Sequence, residues 1–181
     1  MAKVVSATYG QALFELAVSG NSLESTTAEV EVVKSSLLEN NDLVKLLSHP
    51  KISTEEKIQV IENIFKNKIS DTILGLIVTM VQKGRSSEIV DTLAYFLKEA
   101  DEFMLIGTAH VTSAVELSSV QKDSIERKLI ETTKYKKFKM NYVVDKGIIG
   151  GLFIKIGDRV VDSSVKTKLD KMSNELFEIQ I

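Results

Sequence analysis

Two stretches of this chain carry apolar side chains around their whole circumference. Between Lys3 and Glu24 the only charged residue is Glu15, and from Thr72 to Gln82 there is none. At helical spacing the first stretch sets Val5, Tyr9, Ala12, Leu13 and Leu16 on one stripe, with Ala7, Phe14, Ala17 and Val18 on another side. The second spreads Ile73, Leu74, Leu76, Ile77, Val78, Met80 and Val81 around its axis. A helix on the surface of a soluble fold needs one apolar face, so both stretches have a surplus. The membrane is no outlet for it: residues 72–82 make up about half of the ~20 apolar residues that a spanning helix needs. Two arrangements remain. Both helices can be central, covered on all sides. Alternatively, they lie side by side and leave an apolar groove for a partner helix, which would dock through anchors at i, i+3, i+4 and i+7. Burying ~600 Å² per side at ~25 cal/mol per Å² is a gross gain of about 15 kcal/mol per side, before the large costs of association.

The remaining pattern predicts an α+β fold in two domains, a six-helix bundle over residues 1–105 and a small α/β domain over 106–181. Helix one runs over about residues 4–19 and stops at Gly20-Asn21. Helix two, Ser22 to Glu39, has Leu23, Val30, Val33 and Leu37 on one stripe. A short third helix follows Asp42 and ends before Pro50, because a proline pushes its predecessor out of the helical region. Ser53 and Glu56 have capping-box spacing and open helix four. Helix five runs from Ser70-Asp71 to Lys83-Gly84, and helix six starts at Ser86-Ser87. Such short helices with short links pack antiparallel. From Thr108 onward the period changes to two, with Ala109, Val111 and Ser113 on one side of a strand. Ser118 and Gln121 open a helix; Phe138, Met140, Tyr142 and Val144 mark a second strand. Residues 149–156, the Gly157-Asp158 turn and Val160-Val161 read as a hairpin. A last helix carries Val165, Leu169, Met172 and Leu176 at 4-3-4 spacing. The charge divides as the period does, with net −5 over residues 1–105 and +3 over 106–181.

No spacing of residues in the chain matches a known catalytic or metal-binding motif. No Cys is present, which excludes disulfides, thiolate metal sites and Cys nucleophiles. The two histidines, His49 and His110, lie far apart and stand in no ligand-spaced motif. In the segment Gly147 to Gly157 the spacing fits neither a dinucleotide fingerprint nor a phosphate-binding loop, and a strand rather than a helix follows. Gly150-Gly151 is read as a bulge or a close approach, and Gly157 as a turn residue. Asp162, Ser163 and Ser164 precede the last helix, and any of them can cap it. Lys134, Lys136, Lys137 and Lys139 around Tyr135 and Phe138 fit either an RNA-binding patch or the lysine-guarded edge of a sheet. The net charge of −2 gives no independent pointer to nucleic acid.

Over essentially its whole length the chain resembles the delta subunit of F-type ATP synthases, called the oligomycin-sensitivity-conferring protein in mitochondria. Asp145-Lys-Gly-Ile148-Ile-Gly150-Gly151-Leu-Phe-Ile154-Lys155-Ile-Gly157, then Asp162-Ser-Ser164-Val165-Lys166 and Leu169, are similar to that family's C-terminal signature. Tyr9-Gly-Gln-Ala12-Leu13-Phe14-Glu15-Leu-Ala17 resembles its N-terminal Tyr-Ala-x-Ala-Leu-Phe-Glu-x-Ala, with Gly10 in place of Ala. His49-Pro50 and Lys83-Gly84-Arg85 fall at further landmarks, Lys83 replacing an Asn.

The resemblance implies a stator component with no catalytic group, cofactor or metal. It implies that the N-terminal domain grips the N-terminal helix of an alpha subunit of the catalytic head, in a groove between helices one and five. Tyr9, Ala12, Leu13, Leu16, Leu76, Ile77 and Met80 are then the groove candidates. It implies that the C-terminal domain holds the C-terminal end of the b subunit, with Gly150, Gly151, Gly157, Asp162 and Ser164 shaping that domain. Nucleic acid is not an expected partner, and membrane contact is expected only through the complex. A start without a transit peptide fits the cytoplasmic side of a bacterial inner membrane. The rival readings are an RNA-binding or regulatory module using Lys134–Lys139, and an enzyme using the glycine segment.

Overall fold

Ser53, Ser118 and Ser164 each serve open amides at a helix start, whereas Ser22, Asn40 and Ser70 make no side-chain cap hydrogen bond. The computed structural model describes residues 2–49, 51–66 and 68–178, so Pro50 lies outside the described residues. Six helices come first: α1 Ala2–Ser19, α2 Leu23–Glu39, α3 Asn41–Ser48, α4 Thr54–Phe65, α5 Asp71–Gln82 and α6 Ile89–Phe103. The capping box at α4 forms in full, with the Glu56 N–H donating to Ser53 Oγ at 3.2 Å and the Ser53 N–H to Glu56 Oε2 at 3.1 Å. A 3₁₀ turn at Ser86–Glu88 precedes α6, so its α-helical part starts at Ile89, later than the spacing predicts. The second part of the chain holds β1 Ile106–Ser113, α7 Ser119–Thr132, β2 Lys137–Val144, β3 Leu152–Ile156, β4 Arg159–Asp162 and α8 Val165–Glu178. The chain is therefore mostly helical, with eight α-helices among the described residues and a small mixed sheet near its C-terminal end. It divides into two compact units, Met1–Asp101 and Glu102–Ile181.

In the helical unit every helix gives side chains to a common interior. Leu13 and Ala17 of α1, Val30 and Val33 of α2, Leu47 of α3, Ile61 and Phe65 of α4, Ile73 and Ile77 of α5, and Leu93 and Phe96 of α6 are all buried. Gly10 has a packing reason: a Cβ there would lie 2.7 Å from Tyr95 Cδ1 and 3.1 Å from the Thr92 carbonyl oxygen of α6. The glycine that departs from the family's alanine thus lets α1 approach α6 closely.

The second unit is built on a sheet in the order β2-β1-β3-β4. β1 pairs parallel with β2 and antiparallel with β3, and β3 with β4. Ala109, Phe138, Ile156 and Leu129 of α7 form its core, with Ile125, Tyr135, Met140 and Ile154 packed against them. The capping box at α7 is complete, Ser118 N–H donating to Gln121 Oε1 at 2.9 Å and Gln121 N–H to Ser118 Oγ at 3.4 Å. One expectation needs correction: β3 starts at Leu152, not Ile149, because a 3₁₀ turn occupies Lys146–Ile148 and Ile149 takes a left-handed backbone (φ 66°). On the apolar stripe of α8, Val165, Leu169 and Met172 are exposed, and the side chain of Leu176 lies outside the described residues.

Gly151 and Gly157 differ in what they cost to replace. Gly151 has φ +81°, and a Cβ there would run into the Ser163 carbonyl oxygen. Gly157 has φ +55° but open space around it. Gly151→Ala is expected to destabilise the second unit by about 2 kcal/mol or more, and Gly157→Ala by about 1 kcal/mol. Hydrogen exchange of the β1 amides in the full chain measures both.

Candidate functional site

α1 and α5 lie against each other in the helical unit and leave a depression of about 330 Å³ between them. It is lined by Tyr9, Ala12, Leu13 and Leu16 from α1, and by Asp71, Thr72, Gly75, Leu76 and Thr79 from α5. Five of the seven groove candidates from the sequence therefore meet at one place. Ile77 and Met80 do not line it; they are turned into the interior, 2% and 0% exposed. Leu13 is also buried and forms the floor, while Leu16 stands 58% exposed on the rim. The start of α5 is tied from α2, whose Glu29 Oε2 accepts the Ser70 N–H at 2.7 Å. A carboxylate there also suits the positive end of the helix dipole.

Sequence reasoning missed Gly75. It is exposed, lies in mid-helix, and has no positive φ. A Cβ placed on it would meet nothing within 4 Å. Glycine in a helix interior costs about 1 kcal/mol relative to alanine, and nothing inside the chain requires it here. Its carbonyl is covered, because Thr79 Oγ1 donates to the Gly75 oxygen at 2.7 Å. With that hydroxyl engaged, the middle of the depression is apolar. The signal available in the sequence was a lone glycine inside an otherwise apolar helical run.

In the second unit four of the five signature residues meet at one joint. The Val165 N–H donates to the Gly150 carbonyl at 2.9 Å, and the Ser163 N–H to the Leu152 carbonyl at 2.9 Å. Ser164 is the residue that caps α8, its Oγ accepting the Thr167 N–H at 3.2 Å. Asp162 braces the cap: Oδ1 accepts the Ser164 N–H at 2.8 Å and Oδ2 the Thr167 hydroxyl at 2.7 Å. Gly157 lies apart from the joint, at the turn between β3 and β4. Beside the joint opens a cleft of about 570 Å³, walled by Val115, Leu117, Ile125 and Leu129 on one side and Ile149, Gly150 and Leu152 on the other.

The basic segment does not present an aromatic platform. Tyr135 and Phe138 contact edge to face, with centroids 5.5 Å apart, and both pack into the sheet's core. Lys137 and Lys139 lie on β2, an edge strand, the position where lysine discourages further strand pairing. The aromatics are therefore not offered to nucleobases, and the RNA-binding alternative has nothing here to support it.

Comparison with known proteins places the chain among relatives of one kind. The sequence profile of the ATP synthase delta (OSCP) subunit matches residues 5–176. The ATP synthase subunit delta of Lachnoclostridium phytofermentans is 52% identical over 181 residues, 100% of both chains. That of Brevibacillus brevis is 32% identical, covering 97% of this chain and 99% of its own. A chain of the Toxoplasma gondii mitochondrial ATP synthase hexamer, solved by electron cryomicroscopy, has the same fold, with TM-score 0.73 at 18% identity over 95% of this chain and 97% of that one.

Asp162 makes the joint sensitive to acid. Its carboxyl is held below the ordinary carboxylate value, first by the Thr167 hydroxyl and next by the Ser164 N–H. A lowered folded value means that the brace adds stability above the ordinary value of ~3.9 and loses it as pH falls through the lowered one. Asp162→Asn should speed amide exchange in the first turn of α8 several-fold at pH 7. The difference from wild type should close as pH falls through the lowered value of Asp162, measured as protection factors.

Proposed function

Because the chain belongs to the ATP synthase delta (OSCP) subunit family, we propose that its helical unit grips the N-terminal helix of an alpha subunit in the α1/α5 depression while its second unit holds the C-terminal end of the b subunit. The chain is a non-catalytic stator component, and its work is mechanical. Torque from the central shaft acts on the catalytic head. An unanchored head would turn with the shaft, and proton flow would no longer drive ATP synthesis. The anchor needs a contact that dissociates slowly, and burial of apolar helix surface supplies that without an acid, a base or a metal. No described helix is long and apolar enough to cross a membrane, in keeping with peripheral attachment through the complex. We place the chain at the cytoplasmic face of a bacterial inner membrane.

The observation that carries the head-binding half is the convergence of Tyr9, Ala12, Leu13, Leu16 and Leu76 on one open depression. For the stalk-binding half the support is the exposed stripe Val165, Leu169 and Met172 on α8. That stripe begins at the joint, since Val165 packs over Gly150 on the cleft's rim.

Calorimetry of the full chain against a peptide of the alpha subunit's N-terminal segment tests the first half. Wild type should bind, and Ala12→Asp and Leu76→Asp should each weaken binding by about 100-fold or more, since a buried unpaired carboxylate costs several kcal/mol. Unaltered affinity in folded versions of both would count against the depression. For the second half, Leu169→Asp with Met172→Asp should leave head binding intact and abolish co-purification with the b subunit.

A further inference from the structure

The depression has a feature that neither the interior of the helical unit nor the general need for an apolar seat explains. Gly75 lowers the stability of α5, and among the described residues nothing beyond its chain neighbours and its own helix's backbone lies within 4 Å of where its side chain would start. The opening above it is walled by Ala12, Leu13, Leu16, Leu76 and Thr79. Thr79 turns its hydroxyl onto the Gly75 carbonyl, so neither group is left free to bind elsewhere. The result is a hole beside Gly75 with largely apolar walls, the shape that receives a knob from a facing helix. Among the residues lining it, Asp71 is the charged one, and it lies at the start of α5.

We propose that Gly75 is the specificity-determining position of the α1/α5 depression: it keeps open a hole for one large apolar side chain of the alpha subunit's N-terminal helix, next to a basic residue of that helix that faces Asp71. This assignment rests on the reading of the depression as the alpha seat. It also explains why a helix-weakening residue is found in the middle of α5. An alanine there would strengthen the isolated chain and obstruct the knob.

Those two effects have opposite signs, which makes the test decisive. The full chain and its Gly75→Ala and Gly75→Leu variants are titrated with the alpha N-terminal peptide, and each is melted without it. Gly75→Ala should raise the melting temperature by about 2–4 °C and weaken binding about tenfold, since an extra methylene in a fitted site forces side chains off their rotamers. Gly75→Leu should keep the helical circular dichroism and lose binding. Replacing the peptide's large apolar residues with alanine one at a time should find one whose loss weakens wild type but adds nothing in Gly75→Ala. Folded variants that bind as wild type does, or a lowered melting temperature for Gly75→Ala, overturn the assignment. Failure of the wild-type chain to bind the peptide overturns the docking reading and this assignment together.

Discussion

α1 and α5 carry more apolar surface than their own neighbours can cover, and the rest of the helical unit is arranged around that excess. Leu13 and Ala17 on α1, with Ile73, Ile77, Met80 and Val81 on α5, take the interior. Once they are buried, Ala12, Leu16 and Leu76 have nowhere further to go and line the depression. A soluble domain can keep a small open seat of this kind without joining other chains indiscriminately, because the exposed apolar area stays limited. The proposed docking of a partner helix would use that combination of a compact unit with its own interior and an open apolar surface.

The second unit solves a different problem, the attachment of a helix by one end. α8 is held where the Gly150 carbonyl accepts the Val165 N–H and where Ser164 and Asp162 cap its first turn. Gly151 makes this possible, because any side chain there would strike the Ser163 carbonyl. Held in this way, α8 leaves Val165, Leu169 and Met172 in water. The Gly150, Gly151, Asp162 and Ser164 positions of the family signature are therefore one structural device. Their hydrogen bonds fix where α8 begins.

Local features were legible in the sequence and directional ones were not. The capping boxes at Ser53/Glu56 and Ser118/Gln121 are formed by neighbours three residues apart, so their spacing alone revealed them. The change from helical to alternating period at β1 was equally plain. The strand order β2-β1-β3-β4 was not, because it depends on pairings between distant segments. Ile149 reads as part of the strand because apolar residues stand on both sides of Gly150-Gly151, and nothing in the sequence announces that Ile149 itself is left-handed. In α5 an all-apolar circumference carries no sense of direction, so Ile77 and Met80 could not be told from Leu76. Gly75 was visible only as a helix-weakening residue, and its meaning needed the open space around it.

The central claim is that the outer side of α1 and α5 is where the catalytic head is held. Hydrogen exchange of the full chain, alone and bound to the assembled head, tests it most directly. New protection is expected to be confined to residues 9–16 and 71–79, with the β1–β4 sheet unchanged. Protection that spares both segments, or that falls on the sheet and α8 instead, would contradict it.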